Sequence, residues 1–307
     1  MYADDTTLFC SLYSIKSENR ETIINNELQN VSNWLVSNKL SLNVNKTKYM
    51  MFYKHPKVVA PLNIEINNNT ISRVNTFNFL GLHLNSNLSW NTHITMISRK
   101  ITRVTGLLYR LKDFFPKYIL LSLYNTLILP HLNYCILSWG KCNNDILLLQ
   151  KRAMRSICHA TYKAHTEPLF KECHSLKIYD IYEAKLLIFY YKLMRNELPI
   201  FFTNFKPKIA NGFDKYNLRS LKFEIRIFKH EFIKLTCRYQ LLTMLNNISN
   251  IAENNRSTIF NSVNNIHILT LNTFKNIIKS HFLSKYSNIC TILNCYICQC
   301  YNPIFIE

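Results

Sequence analysis

Two adjacent carboxylates at the start of the chain, Asp4 and Asp5, are the residues whose chemistry is easiest to specify. They follow Tyr2 and Ala3 at a predicted tight turn. Carboxylate oxygens are ligands that Mg²⁺ takes in proteins, usually together with substrate phosphates. Two such ions about 4 Å apart can activate a hydroxyl nucleophile and stabilise a leaving pyrophosphate. An Asp-Asp pair is also a common solvated turn, so these four residues alone leave both interpretations open.

Cysteine residues form the second candidate metal site, near the end of the chain. Four thiolates could bind Zn²⁺ there, because a Cys-x-x-Cys overlaps a Cys-x-Cys. The short Cys-x-Cys spacing makes a tetrahedral site awkward, which argues against a regular zinc knuckle. The residues concerned are Cys290, Cys295, Cys298 and Cys300.

A third group of soft ligands lies in the middle of the chain. Cys158-His159, His165 and Cys173-His174 could be drawn as one metal site. Core thiols and surface histidines on helices are the simpler interpretation. No secretory signal follows Met1, so we expect an intracellular chain whose ten cysteines are reduced thiols or metal ligands rather than disulfides.

Positive charge is concentrated after residue 90. The 307 residues carry 37 Lys and Arg and 18 Asp and Glu, a net charge of +19. Residues 1–90 have eight basic and six acidic side chains, 91–163 have eleven and two, and 164–307 have eighteen and ten. A/T-rich codons would also favour lysine, but they would act on the first ninety residues too. The distribution therefore predicts a polyanionic partner, most often nucleic acid.

The overall composition excludes two classes of protein. Hydrophobic residues make up 48% of the chain, which is too many for a disordered protein. No apolar run reaches the roughly 18 residues that a membrane span requires. We therefore expect a folded protein without a membrane partner.

The elements that would position the carboxylates are a mixture of strands and one helix. We predict strands at Thr6–Cys10, Lys48–Tyr53 and Phe79–Leu84 from β-branched and aromatic runs. Between them, a helix is expected from Ser17, its N-cap, to Val36, because Ile24, Leu28, Val31 and Leu35 fall at helical spacing. A hairpin is expected around the turn at residues 67–69.

After Trp90 the pattern is helical. An apolar stripe runs through Ile94, Ile97, Ile101, Val104, Leu108 and Leu111, and four cations lie off that stripe: Arg99, Lys100, Arg103 and Arg110. Pro116 should open the next helix and Pro130 should end it. Further helices are predicted at 131–139, 144–160, 178–196, 225–247 and 272–285. The helix at 144–160 has three cations on its polar side: Lys151, Arg152 and Arg155.

The order of these motifs resembles the palm and thumb of reverse transcriptases from LINE-type (non-LTR) retrotransposons of the jockey-like broad group. The blocks that carry the resemblance are Tyr2-Ala3-Asp4-Asp5, Asn45-Lys46-Thr47-Lys48, Phe79-Leu80-Gly81 and Leu88-Ser89-Trp90. Further blocks downstream extend it over essentially the whole chain, among them Pro130-His131-Leu132-Asn133-Tyr134 and Tyr216-Asn217-Leu218-Arg219-Ser220.

This resemblance implies an RNA-directed DNA polymerase that uses two Mg²⁺ ions and deoxynucleotides. Asp4 and Asp5 would be the catalytic metal ligands, and Lys46 would donate a proton to the departing pyrophosphate, although a solvated turn lysine fits that position equally well. Phe79, Leu80 and Gly81 would form the primer grip. The cations of the two basic helices would contact an RNA template paired with a DNA primer. The resemblance also implies that the protein acts in the nucleus.

The resemblance also implies the fold and its division. We expect an α+β fold, mostly α, with a partial palm of few antiparallel strands and one helix at 1–90, a basic helical thumb at 91–163 and a helical C-terminal region at 164–307. The family's palm uses a third aspartate and fingers from upstream sequence, so we expect this chain not to polymerise DNA by itself. The alternatives are a non-catalytic helical module that binds nucleic acid and an inert product of a decayed element.

Overall fold

The computed structural model describes residues 6–11, 19–52, 62–142, 145–208, 223–225, 231–254, 262–263 and 265–286. The chain has the predicted α+β fold, in which helices far outweigh strands. It forms two compact units, Met1–His93 and Ile94–Glu307.

The described residues of the first unit form one helix, α1 (Arg20–Ser37), and three small two-stranded sheets. β1 (Lys48–Tyr49) pairs in parallel with β4 (Ser72–Arg73). β2 (Glu65–Ile66) pairs antiparallel with β3 (Asn69–Thr70), and β5 (Thr76–Phe79) pairs antiparallel with β6 (Leu82–Asn85).

Both hairpins of this unit turn on two residues with positive φ, the geometry of the tight turns that match the twist of paired strands. Asn67 and Asn68 (φ 50° and 60°) make the predicted turn between β2 and β3. Leu80 and Gly81 (φ 47° and 82°) make a second turn, between β5 and β6. The predicted single strand Phe79–Leu84 is therefore wrong, because the chain reverses in its middle.

Two other predictions for this unit need correction, and a third falls on residues outside the described part of the chain. Residues 6–11 include no strand, so the strand predicted at Thr6–Cys10 is wrong. The strand predicted from Lys48 pairs over two residues only. The helix start predicted at Ser17 lies outside the described residues, and Asn19 precedes the first turn of α1.

The core of the first unit is small and aliphatic. Ile64, Ile66 and Ile71 are buried at its centre, and Ile24 and Leu28 of α1 pack against them. Of the predicted α1 stripe only Leu35 is itself buried, together with the polar Ser32. The apolar periodicity of α1 therefore explains only part of how this helix is held.

Polar side chains hold the rest of α1 against the sheet. The Asn25 amide accepts from the Glu65 N–H (3.0 Å) and donates to the Asn63 carbonyl (3.2 Å), as a neighbouring strand would. Glu21 accepts from the Asn63 N–H at 2.9 Å, and the Ser32 hydroxyl donates to the side chain of Asn67 at 2.9 Å. These bonds satisfy the edge of β2, whose backbone groups would otherwise lack partners.

The second unit is built from helices. α2 (Asn91–Leu111), α3 (Lys117–Leu127) and α6 (Asp145–Ile157) follow the predicted pattern, and Pro116 precedes α3 as expected. α7 (Glu167–Glu172) precedes α8 (Ile178–Met194), the long helix predicted at 178–196. A short 3-10 helix (Ile200–Phe205), α9 (Glu231–Lys234), α10 (Cys237–Asn254) and α11 (Leu271–Ser284) complete the described elements.

The helix predicted at 131–139 is broken in two. α4 (Leu129–Asn133) ends before Tyr134, and α5 (Ile136–Trp139) begins after Cys135, which has a left-handed backbone (φ 46°). The 3-10 helix Gly140–Cys142 follows directly. At Gly140 an added Cβ would lie 2.5 Å from Cγ1 of Ile136, so only glycine fits there without a shift.

α8 is the central helix of the second unit. It packs against α5, α6, α10 and α11, and buried side chains lie on most of its circumference. Such a helix, apolar nearly all round, belongs in the middle of a bundle. No described helix is long and apolar enough to span a lipid bilayer.

One buried amide, Gln150 of α6, joins three parts of this bundle. Its Nε2 donates to the Tyr124 hydroxyl of α3 and to the Leu176 carbonyl, both at 2.8 Å. Its Oε1 accepts from the N–H of Ile178, the first residue of α8, at 2.9 Å. Gln150 and Tyr124 are fully buried. The amide therefore satisfies one of the backbone donors that every helix start leaves unpaired.

Tyr286 fixes the end of the described C-terminal region. Its hydroxyl accepts from the Lys177 N–H (2.9 Å) and donates to the carboxylate of Asp180, and its carbonyl accepts from Lys171 Nζ (3.0 Å). The Lys177 ammonium lies 4.6 Å from the centre of the Tyr286 ring. Tyr286, the second residue after α11, is thus attached to the α7–α8 junction.

Candidate nucleic-acid interface

The outer face of α2 carries a row of cations. Arg99, Arg103 and Arg110 succeed one another by four and seven residues, so they lie along one line of the helix, and all three are exposed. The row extends over about 16 Å of helix axis. The buried residues Ile97, Ile101 and Leu108 face the opposite way. α2 has no acidic residue in its sequence, so nothing on the helix itself neutralises the row.

A glycine completes this row. Gly106 falls between Arg103 and Arg110 on the same line of the helix, and an added Cβ would meet no atom within 4 Å. Packing within the protein therefore does not require glycine here, although glycine in a helix interior costs about 0.5–1 kcal/mol relative to alanine. Because glycine has no side chain, a binding partner can approach the helix backbone closely at this position.

Exposed aromatic rings lie near and beyond the C-terminal end of α2. Tyr109 is 62% exposed, Phe114 81% and Tyr118 73%. The Lys112 ammonium lies 4.6 Å from the centre of the Tyr109 ring. Aromatic faces beside cations are what proteins use to stack bases while they neutralise phosphates. Our sequence predictions missed these rings, and the detectable signal was aromatic residues at polar positions of the helical pattern.

Lys100 lies beside this row and points toward a different neighbour. It is exposed, and its charge acts on His131 of α4. Partial burial lowers the pKa of His131, and the nearby Lys100 lowers it further. His131 is thus neutral near pH 7 and adds no charge beside the cationic row.

The three predicted cations of α6 do not form one equivalent set. Arg152 is exposed and Lys151 half-buried. Arg155 donates from Nε to the Ala164 carbonyl at 2.9 Å and lies 6.0 Å from the Tyr162 ring. Burial lowers the pKa of Arg155, whose guanidinium nevertheless remains charged. Arg155 therefore holds the loop after α6, and Arg152 is the α6 cation most open to a ligand.

Residues next in sequence to the candidate catalytic side chains border one cavity of the first unit. It has a volume of about 440 Å³ and is lined mainly by apolar side chains. Its walls include the residues after the Asp-Asp pair (Thr6 and Thr7), those after Lys46 (Thr47 and Lys48) and Phe79 of the β5–β6 hairpin. Asp4 and Asp5 themselves lie outside the described residues.

Lys46 and the predicted primer grip are surface features. Lys46 is exposed in a turn, where its N–H donates to the carbonyl and side-chain oxygens of Asn43, both at 3.2 Å. Phe79 is half-buried, and Leu80 and Gly81 form the exposed tip of the hairpin. The β5–β6 hairpin thus presents Leu80-Gly81 at its turn, and their role as a primer grip stays a prediction.

The predicted soft-ligand sites have different outcomes. The C-terminal cysteines Cys290, Cys295, Cys298 and Cys300 lie outside the described residues. In the middle of the chain, the sulfurs of Cys158 and Cys173 lie 3.4 Å apart. Among the residues that the structure describes, no three histidine, cysteine or acidic side chains are grouped as a metal site.

No protein-family model matches this chain, and no curated protein or solved structure is significantly similar to it. The functional interpretation therefore depends on the side chains and their geometry, together with the resemblance of the sequence motifs.

Proposed function

We propose that the chain is part of an RNA-directed DNA polymerase of a LINE-type retrotransposon and that the α2 row binds the backbone of an RNA–DNA duplex. The row of Arg99, Arg103 and Arg110 along a bare glycine carries the binding part of this proposal. Cations placed along a duplex neutralise phosphates without reading the base sequence. The rings at the end of the row supply a surface on which an unpaired base can stack.

The first unit supports the polymerase part of the proposal. Thr6 and Thr7, which follow the first block, border the same cavity as Thr47 and Lys48 of the second block and Phe79 of the third. Asp4 and Asp5 would hold Mg²⁺ there, since carboxylates are its preferred ligands. Bound Mg²⁺ would supply activation of the primer hydroxyl and charge stabilisation at the phosphate. Lys46, exposed in its turn, is free to reach an anionic leaving group.

The binding part is tested by the salt dependence of duplex affinity. In the double variant Arg99→Gln/Arg103→Gln we expect the slope of log K against log salt to fall by roughly 1 to 2, because each phosphate contact contributes about 0.9. Near 0.1 M salt the affinity should fall by roughly tenfold or more. Fluorescence anisotropy with a labelled RNA–DNA duplex measures both quantities.

Two other cations on the second unit provide the matched control. Lys275 and Lys279 of α11 are exposed and also four residues apart, so Lys275→Gln/Lys279→Gln removes the same charge with the same spacing. We expect it to change the affinity less than twofold. Equal losses in both double variants would show that net charge, and not the α2 row, determines binding.

A second candidate function is a non-catalytic module that binds nucleic acid. The cationic row favours it, because that row lies on a helix of the second unit and needs none of the metal-binding residues. Mn²⁺ binding, followed by electron paramagnetic resonance, separates the two functions. The polymerase proposal expects a bound ion that Asp4→Asn or Asp5→Asn removes and Asp113→Asn retains. Duplex binding without any such ion would leave only the module.

A further inference from the structure

Two Cys-His dipeptides end two neighbouring helices in the same way. Cys158-His159 follows α6 and Cys173-His174 follows α7. Both histidines are exposed and have a left-handed backbone (φ 52° and 47°). Beyond each of them a backbone N–H turns back to the helix, from Ala160 to the Arg155 carbonyl and from Ser175 to the Phe170 carbonyl, both at 2.9 Å. These bonds are those of a Schellman cap.

The caps bring the two thiols into contact. Each cysteine N–H makes the last bond of its helix, from Cys158 to the Met154 carbonyl and from Cys173 to the Leu169 carbonyl, both at 3.0 Å. Their sulfurs lie 3.4 Å apart. A disulfide needs about 2.05 Å between sulfurs, so closing the bond takes a movement of little more than 1 Å. Both cysteines lie at helix ends whose backbones are fixed by these hydrogen bonds.

The electrostatic surroundings favour a thiolate at one of the two sulfurs. The contact between the two thiols raises the pKa of Cys158 and lowers that of Cys173, while burial acts to raise both. The ammonium of Lys117 acts to lower both pKa values, and the carboxylate of Glu172, with which it pairs, acts to raise them. A nearby cation of this kind is a common feature of reactive cysteines.

A cavity leads to the buried member of the pair. Cys173 is only 6% exposed, but it borders an open cavity of about 280 Å³. Lys185 and Lys279 also line that cavity. Its cationic wall suits an anionic reagent such as a peptide disulfide with free carboxylates.

From the contact and the cavity we propose that Cys158 and Cys173 are a redox site, a dithiol that becomes a disulfide by exchange with a low-molecular-weight disulfide. The Cys173 thiolate attacks one sulfur of the reagent, whose S–S bond breaks and whose other half leaves as a thiol. Cys158 then loses its proton and attacks the Cys173 sulfur, and the second half of the reagent leaves. The protein gives up two protons and two electrons, and the reagent becomes two thiols.

Oxidation would fasten the loop between α6 and α7. The new bond would join residues 15 apart, across the segment that Arg155 holds through the Ala164 carbonyl. A cross-link over a loop of this length stabilises mainly by restricting the unfolded chain. We expect the melting temperature of the oxidised protein to rise by roughly 5 to 10 °C.

The test is to equilibrate the full chain with mixtures of reduced and oxidised glutathione. After acid quenching and alkylation of free thiols, peptide mapping should show a Cys158–Cys173 linked peptide that lacks two hydrogens and disappears on reduction. The linked fraction should rise with the proportion of oxidised glutathione. Finding both cysteines alkylated, or only glutathionylated, at every ratio would overturn the proposal, and this result needs no variant.

Two matched variants sharpen the test. Cys158→Ser should remove the linked peptide, and Cys135→Ser, at an exposed cysteine elsewhere in the same unit, should leave it unchanged. Lys117→Met should slow the oxidation several-fold without changing its end point, whereas Lys163→Met, at an exposed lysine, should not slow it. If Cys158→Ser still gave a cross-linked Cys173 peptide in equal yield, the cross-link would use a cysteine other than Cys158.

Discussion

Replacing Gln150 by methionine should destabilise the second unit more than any surface change in it. Methionine matches the length and approximate volume of glutamine, so the substitution removes hydrogen bonds without opening a large cavity. It leaves three groups without their partner: the buried Tyr124 hydroxyl, the buried Ile178 N–H and the carbonyl of Leu176, which is half-buried. The Ile178 N–H is also the first backbone donor of α8.

The magnitude follows from those three groups. A buried polar group that loses its partner costs about 1–3 kcal/mol, and some relaxation is expected around each. We therefore expect the free energy of unfolding to fall by about 3–5 kcal/mol. Adding Tyr124→Phe removes the hydroxyl that Gln150→Met leaves unpaired. The free energy of unfolding of the double variant should therefore fall by less than the sum of the falls in the two single variants.

Urea-induced unfolding of the full chain, followed by tryptophan fluorescence, measures this loss, since Trp139 is fully buried in the same unit. Leu148→Met is the matched control, because Leu148 lies on the same helix, receives the same residue and is 54% exposed. It should change the free energy by no more than about 0.5 kcal/mol. If Gln150→Met were within 1 kcal/mol of the wild type, the role of the amide as a joint between three helices would be refuted.

Two glycine substitutions and one histidine substitution give further predictions. Gly106→Ala should raise the free energy of unfolding by about 0.5–1 kcal/mol, since the added methyl meets open space, yet weaken duplex binding by roughly threefold or more in anisotropy titrations. Gly140→Ala should instead lower the free energy of unfolding by roughly 1–3 kcal/mol in urea titrations, because its Cβ would lie 2.5 Å from Ile136, and a stable variant would contradict that packing. Burial and, as the smaller cause, the nearby Lys285 lower the pKa of His281 from its usual 6.5 to about 4 in the folded chain. As the pH falls below 6.5, the imidazole is therefore protonated in the unfolded chain before it is protonated in the folded chain. Stability contributed by neutral His281 should therefore be lost between pH 6.5 and 4, and melting temperatures across that range should fall more steeply for the wild type than for His281→Gln.

The sequence was most informative where a long periodic pattern decides the structure. The apolar stripe of α2 and the continuous apolar character of α8 predict both helices within a few residues of their ends. The turn at Asn67 and Asn68 was predictable for a local reason, because asparagine tolerates the left-handed backbone. In all three cases the neighbouring residues are sufficient to determine the local conformation.

The errors occur where distant contacts decide the conformation. Leu80 and Cys135 adopt left-handed backbones that their residue types disfavour, so neither reversal shows in a propensity pattern. The polar attachment of α1 through Asn25 depends on backbone groups about 40 residues away. No periodicity within α1 carries that information.

The candidate interface was predictable in part for the same reasons. Charge and helical spacing predicted that Arg99, Lys100, Arg103 and Arg110 lie off the apolar stripe, and all four are exposed. Which cations remain open to a ligand was not predictable, since Arg155 is engaged by a carbonyl nine residues away. The contact between Cys158 and Cys173 needed the structure, because it depends on how two helix ends meet.

The attachment of Tyr286 has a practical consequence for dividing the chain. A protein shortened to end at Tyr286 would retain its bonds to Lys171, Lys177 and Asp180, whereas one ending at Ser284 would lose them all. Tyr286 is thus the natural end point for a shortened chain without the cysteine-rich tail. Because Cys290, Cys295, Cys298 and Cys300 all follow it, the zinc content of the tail can be assigned by difference between the full and the shortened chain.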